Sequence, residues 1–383
     1  MYCIGLMSGT SLDGVDAALV DIEGSEFETK VKLVKFNTYE MPKEIKAEIK
    51  RACSVEESSV ELICSLNFKL GYLFSKAVQH ICEEAKVSVE KIDFVASHGQ
   101  TIYHIPKGKG SIIPSTLQIG EPSVIAYENN LKVISNFRTM DMAAGGEGAP
   151  LVPYSEYILY GGRGETIAFQ NIGGIGNVTV IPAKRNIDEI FAFDTGPGNM
   201  IIDEVCSRLF NVSYDKNGDI AKTGNINEGM LKNLMDHPYL KKTPPKTTGR
   251  EDFGEDFVKN LLEKFKDIKP EDIVKTVTAY TAFSIVDSYK KFVLPKTKLD
   301  KVLLAGGGTH NKVLIQLIKD GLKGIDVFTQ DEIGYSSDAK EAIAFAILGN
   351  ETLNKKTSNV AAATGAKRNV ILGNISLPPF GGS

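Results

Sequence analysis

One local device occurs twice in this chain, and it limits the folds open to it. Residues 2–22, "YCIGLMSGTSLDGVDAALVDI", and residues 165–182, "ETIAFQNIGGIGNVTVIP", each read as an apolar strand, a polar glycine-bracketed turn and a second apolar strand. Chain reversal needs only about two turn residues, so these polar turns exceed what a hairpin requires. Glycine lets the main chain approach a ligand closely, Ser and Thr add donors, and consecutive N–H groups form an anion nest. Two copies predict two related α/β halves facing a cleft. At 383 residues the chain also exceeds one ordinary core. The expected division is residues 1–137 with 357–383 against residues 138–356, parted in the glycine-rich stretch at 138–148.

The remaining pattern is that of an α/β protein. "PKEIKAEIKRAC" predicts a helix opened by Pro42, and "SSVELICSLNFKLGYLFSKAVQHICEEA" predicts a long one capped by Ser58 or Ser59. "IDFVAS" reads as a buried strand whose end delivers "HGQT". "EIFAFDTGPGN" ends a strand at Asp194, and "DKVLLAGGGTHN" runs from a strand into a third glycine turn. The Lys/Pro/Thr-rich "LKKTPPKTTGRED" separates helical patterns and carries no periodicity.

Charge and cysteine usage narrow the function classes. A net charge of −4, from 44 basic and 48 acidic residues, argues against nucleic-acid or membrane-surface binding. The five cysteines form no CxxC pair and suit a reducing compartment. "MYCIGLMSGT" lacks the basic start of a signal peptide, and no run reaches the ~18 apolar residues of a membrane span. A soluble cytoplasmic protein is expected.

Neither polar turn is a Walker A loop or a GxGxxG fingerprint. With "AGGGTHN", where Gly306, Gly307 and Gly308 end a strand and Asn311 opens a helix, they point to a nucleotide. Asp13 and Asp194 stand in or beside these turns, placed to act as a base or to hold Mg²⁺ through water. His98 and His104 in "ASHGQTIYH" lack a third partner at metal-ligand spacing, so no metal site is expected of them. His98, Gln100 and Thr101 instead suit sugar hydroxyls. Arg138 and Asp141 in "FRTMD" form either an ion pair or contacts to an acidic substrate. Glu341 interrupts the apolar helix "EAIAFAIL" and must face solvent or a polar cleft.

Taken together, "GLMSGTSLDGVDAALV", "SHGQTIYH", "TLQIGEPS", "AAGGEGAPLVP", "NIGGIGNVT", "FDTGPGNMIID" and "AGGGTHN" resemble the anhydro-N-acetylmuramic acid kinase family. The likeness extends to the closing "ATGAKRNVILGNIS". It implies two actin-like ATPase (ribonuclease H-like) domains with ATP and substrate in the cleft between them, and Mg²⁺ as the accompanying ion. By the same match Gly9, Thr10, Ser11, Leu12, Asp13, Gly14, Val15 and Asp16 form the first phosphate loop. Gly173, Gly174 and Asn177 belong to the opposing loop, and Gly306, Gly307, Gly308 and Asn311 to the adenosine motif. Asp194 takes the family's catalytic-base position, and Glu341 aligns with a carboxylate lining the sugar site. His98, Gln100, Thr101 and Arg138 fall in segments resembling the sugar-binding wall. Glu147 and Gly176 stand where family members often have Gln and Ala. The implied reaction joins the anhydro sugar, ATP and water to give N-acetylmuramic acid 6-phosphate and ADP, and a homodimer is compatible with it. A conventional sugar kinase and a non-catalytic actin-like ATP switch remain open alternatives.

Overall fold

The computed structural model describes residues 1–9, 12, 14–108, 110–184, 186–330, 332 and 338–380. The strands are β1 Tyr2–Ser8, β2 Gly14–Glu23, β3 Lys30–Glu40, β4 Ile92–Ile105, β5 Ser115–Ile119, β6 Lys132–Ser135, β7 Ile167–Ile172, β8 Ile175–Ile181, β9 Phe191–Pro197, β10 Lys301–Ala305, β11 Asp326–Thr329 and β12 Asn374–Ser376. The principal helices are α1 Lys43–Cys53, α2 Val60–Ala85, α3 Pro122–Asn129, α4 Thr139–Ala143, α5 Val152–Tyr160 and α6 Asn199–Phe210. They continue with α7 Asp219–Thr223, α8 Glu228–Met235, α9 Arg250–Phe253, α10 Glu255–Lys264, α11 Pro270–Ser288, α12 Lys312–Gly321 and α13 Lys340–Leu353.

Two compact units form, residues 1–160 with 338–383 and residues 161–337. Their sheets repeat one topology. The first runs β12-β6-β4-β1-β2-β3, with β5 paired to β4. The second runs β11-β10-β7-β8-β9. In each, an antiparallel three-strand meander supplies one half, and its first strand pairs in parallel with a later one, β1 with β4 and β7 with β10. This 3-2-1-4-5 order with an antiparallel second strand is the actin-like, ribonuclease H-like fold. Parallel pairing demands a crossover, and helices supply it.

The division falls elsewhere than expected from the sequence. Helices α4, α5 and α13 belong to the first unit, because α13 packs across β1, β2 and β4. The approach is close enough that a Cβ on Gly5 would collide with the Ala342 backbone. A Cβ on Gly349 would come within 2.8 Å of Ala96 and Phe94 side-chain atoms. Small residues on both faces therefore commit α13 to that sheet.

Local signals explain most elements. Ser59 caps α2, its Oγ accepting from the Leu62 N–H at 3.1 Å. Ile4, Leu19, Leu70, Phe74 and Val95 meet in the first core. Val178, Phe193, Ile285, Val302 and Leu314 meet in one core of the second unit. Strand β4 does not stop before "HGQT" but runs to Ile105, because β5 pairs with its far half while β1 and β6 pair with its near half. Gly99 sits between the two halves at φ 77°, a left-handed conformation that favours glycine.

Candidate active site

In the second unit three glycine motifs converge. The β7–β8 hairpin turns at Gly173 and Gly174. The Gly173 carbonyl accepts from the Asn199 N–H at 2.7 Å, and the Gly174 carbonyl accepts from the Gly198 and Met200 N–H groups at 2.9 and 3.1 Å. The hairpin tip is thereby tied to the start of α6. A Cβ on Gly198 would strike the Gly173 carbonyl, so "GPG" allows that contact. The tip stays open, since a Cβ on Gly173 or Gly174 would find nothing closer than 3.6 or 3.4 Å.

The end of β10 joins this cluster. Gly306 has φ 86°, and a Cβ there would meet Asn171 Oδ1 at 2.7 Å and the Ile172 carbonyl oxygen at 2.8 Å. Gly308 packs on Ile172, whereas Gly307 is exposed, which makes a main-chain ledge. Asn311 is buried, and its Oδ1 accepts from the Val313 and Leu314 N–H groups at 3.1 Å. Its carboxamide oxygen therefore caps α12.

Asp194 lies on β9 opposite Asn177 of β8. Its main chain is held on both sides: the N–H donates to the Lys246 carbonyl at 3.1 Å, and the carbonyl accepts from Tyr239 Oη at 2.8 Å. Its Oδ2 accepts from the Thr248 N–H at 2.9 Å, while no described residue donates to Oδ1. Burial pushes the carboxyl up to about 6. The Thr248 N–H and Lys246 pull it down, and Glu251 pushes it up. A rigidly presented carboxylate with one oxygen open and a near-neutral pKa suits a general base.

In the first unit the expected sugar wall is a connected network. His98 Nδ1–H donates to the Gly99 carbonyl at 2.8 Å, and Nε2 accepts from Arg138 Nε at 3.0 Å. Burial and the adjacent guanidinium hold His98 down at about 3, so the ring is neutral. Arg138 Nη1 donates to the Gly148 carbonyl at 2.7 Å. Burial lowers its pKa to about 10 against the support of Glu341 and Asp141. Glu341 is exposed on the first turn of α13, yet the surrounding protein mass pushes its carboxyl up, against Lys340 and Arg138 and with a push from Asp16. Thr101 is half-buried, and its Oγ1 accepts from Gln118 Nε2 at 3.3 Å.

Some expected residues do other work. Gln100 is 1% exposed; its Oε1 accepts from Ser8 Oγ at 2.6 Å and its Nε2 donates to the Thr101 carbonyl at 3.2 Å. It locks β1 to β4 rather than presenting an open amide. Leu12 and Val15 lie in the hydrophobic core, so only their main chain can face a ligand. Thr10, Ser11 and Asp13 fall outside the described residues. Of their neighbours, Gly9 accepts from the Leu12 N–H at 3.3 Å, Gly14 packs on Thr38 and Tyr39, and Asp16 Oδ1 accepts from Thr38 Oγ1 at 2.6 Å. Although its charge supports the Arg138 guanidinium, Asp141 makes no hydrogen bond or close ion pair with that side chain among the described residues. It is fully buried, accepting from Asn359 Nδ2 and Thr364 Oγ1 at 2.7 Å and from the Gly148 N–H at 2.9 Å.

Tyr239, Lys246 and Thr248 escaped the sequence reading. They stand in or beside the aperiodic Lys/Pro/Thr-rich stretch, where the sole hint was a run of chemistry-bearing residues. Among the described residues no group of three or more His, Cys, Asp or Glu is arranged to hold a metal ion.

Comparison with known proteins gives these features a family. The model of the anhydro-N-acetylmuramic acid kinase family matches residues 1–378. The Clostridioides difficile (strain 630) protein of that name is 62% identical over 382 residues, covering 100% of both chains. The Bacillus cereus (strain ZK / E33L) protein of that name is 60% identical over 382 residues, 99% of this chain and 100% of the other. Among solved structures, the ADPNP-bound activator of a Clostridium difficile 2-hydroxyisocaproyl-CoA dehydratase aligns at TM-score 0.44 and 12% identity, over 91% of this chain and 93% of the other. The Thermus thermophilus ROK hexokinase aligns at TM-score 0.39 and 13% identity, over 92% and 99%. Matched along almost its whole length by the family model and by full-length relatives at about 60% identity, the chain belongs to the anhydro-N-acetylmuramic acid kinase family.

Proposed function

We infer that this chain is a kinase that opens 1,6-anhydro-N-acetylmuramic acid with water and transfers the γ-phosphoryl group of ATP to O6, with Asp194 as the base. Family membership supports the kinase activity. The observation that carries the mechanism is Asp194, with one carboxylate oxygen fixed by Thr248 N–H, the other open, and a carboxyl raised to about 6.

The substrate has no free 6-hydroxyl, because O6 is bonded to C1. A base that only deprotonates an alcohol has nothing to act on. Asp194 instead takes a proton from water as the water oxygen bonds to C1, in the manner of an inverting glycosidase base. The C1–O6 bond breaks, O6 bonds to the γ-phosphorus, and ADP leaves. Phosphorus captures the departing oxygen, which is why one strong base suffices where a glycosidase needs two carboxyl groups.

The residues fit a nucleotide. The open hairpin tip at Gly173–Gly174 and the ledge at Gly306–Gly308 offer main-chain groups, and a side chain at Gly306 would push the ledge away from Asn171 and Ile172. Mg²⁺ would neutralise phosphate charge in this reading. Arg138, oriented by the neutral His98 ring, would fix sugar substituents, with the Glu341 charge near it. Five cysteines without a disulfide fit a cytoplasmic setting.

Reaction in ¹⁸O-labelled water tests the mechanism. The product should exceed the substrate by one phosphoryl unit plus one water, with label on C1. A conventional kinase incorporates none, and a bare ATP switch makes no sugar phosphate.

A further inference from the structure

We propose that Lys246 is a positioning residue for Asp194: its buried ammonium, seated among three aromatic rings, anchors the loop that holds the carboxylate and lends that carboxylate a positive field. The proposal rests on Asp194 being the base.

Lys246 is 6% exposed, and among the described residues its Nζ makes no hydrogen bond. Nζ lies 4.7 Å from the Tyr239 ring centroid, 4.8 Å from Phe292 and 5.9 Å from Phe193. A buried ammonium is costly unless compensated, and aromatic faces compensate part of that cost. A Met or Leu would fill the same cage without that cost, so what the charge adds here is electrostatic.

The cage is continuous with the grip on Asp194. Tyr239, one wall, donates from Oη to the Asp194 carbonyl at 2.8 Å. Phe193, another wall, precedes Asp194 on β9. The Lys246 carbonyl accepts from the Asp194 N–H at 3.1 Å, and two residues on, the Thr248 N–H donates to Oδ2 at 2.9 Å. Pulling the ammonium out of its cage would release both loop contacts together.

The charges facing each group define the electrostatics. Asp287, Lys291, Lys242 and Asp194 face Lys246. Lys246 and Glu251 face Asp194, with the Tyr239 ring beside it. Burial lowers Lys246 to about 8, so at neutral pH it is mostly charged and favours ionised Asp194. Lys246 is the cation set against Glu251 in this balance.

Lys246→Met, Lys246→Gln and Lys246→Arg, assayed on the full chain with ATP and the anhydro sugar, test the proposal. Loss of the charge should lower kcat roughly 10- to 100-fold with KM for ATP little changed. It should also move the acid limb of the pH profile upward by about one unit. Arginine should keep the limb in place and recover part of kcat. A neutral variant that melts earlier but keeps wild-type kcat and an unmoved limb would overturn the proposal. Should Lys246→Met fold poorly, the Gln–Arg pair decides, because an equal limb position in both also refutes a role for charge. Normal turnover by Asp194→Asn would instead remove the base reading itself.

Discussion

Replacing Asp194 by Asn should abolish turnover and, at the same time, stabilise the protein in a pH-dependent way. The folded carboxyl titrates at about 6, whereas an ordinary aspartate titrates at about 3.9. Its folded pKa is raised, so the folded state binds the proton more tightly than the unfolded chain. Ionisation therefore costs stability, nothing below the unfolded pKa and the full amount above the folded one. Two pKa units at about 1.36 kcal/mol each set a ceiling of about 3 kcal/mol above pH 7, lessened by the partial solvation of the group. At pH 4 the gap should fall below about 1 kcal/mol. Asparagine keeps an acceptor for the Thr248 N–H, so the native contact survives the change. For a unit of this size each kcal/mol moves the melting temperature roughly 2–4 °C. Thermal melts of both proteins at pH 4 and pH 8, beside a turnover assay, give the readout. A variant less stable than wild type at pH 8, or a stability difference independent of pH, would show that burial does not strain this carboxylate and would remove the argument for its raised pKa.

Because the base acts ionised, kcat/KM should climb about tenfold per pH unit below about 6 and level off above it, as a pH–rate profile at fixed ionic strength would show. Gly306→Ala places a side chain in a left-handed conformation against Asn171 and Ile172, and should weaken nucleotide binding at least about tenfold by calorimetry. Asp141→Ala strips three hydrogen bonds from a fully buried carboxylate, leaving Asn359, Thr364 and Gly148 donors unpaired. A loss of about 3 kcal/mol or more in urea unfolding is expected.

The duplicated topology was legible because strand periodicity and glycine turns are local signals. Both polar turns fall between paired strands, and Asp194 stands on β9 beside the glycine turn as its sequence context implied. What escaped was non-local. Residue type alone does not say whether Gln100 faces a ligand or a partner strand; only the β1–β4 pairing brings Ser8 within reach of it. Asp141 looked like a partner for nearby Arg138, yet its donors Asn359 and Thr364 lie more than two hundred residues away. The unit boundary failed for a similar reason, since α13 follows the second sheet in sequence but is fixed to the first by the contact of Gly5 with Ala342. The Lys246 loop is the sharpest case. Without periodicity, residues 241–252 resemble a linker, and a Lys in a linker is ordinarily solvated. Its importance arises only where Tyr239, Phe193 and Phe292 surround the ammonium. A base's position can be written in a local motif, whereas the groups that tune its proton affinity are recruited from wherever the fold delivers them.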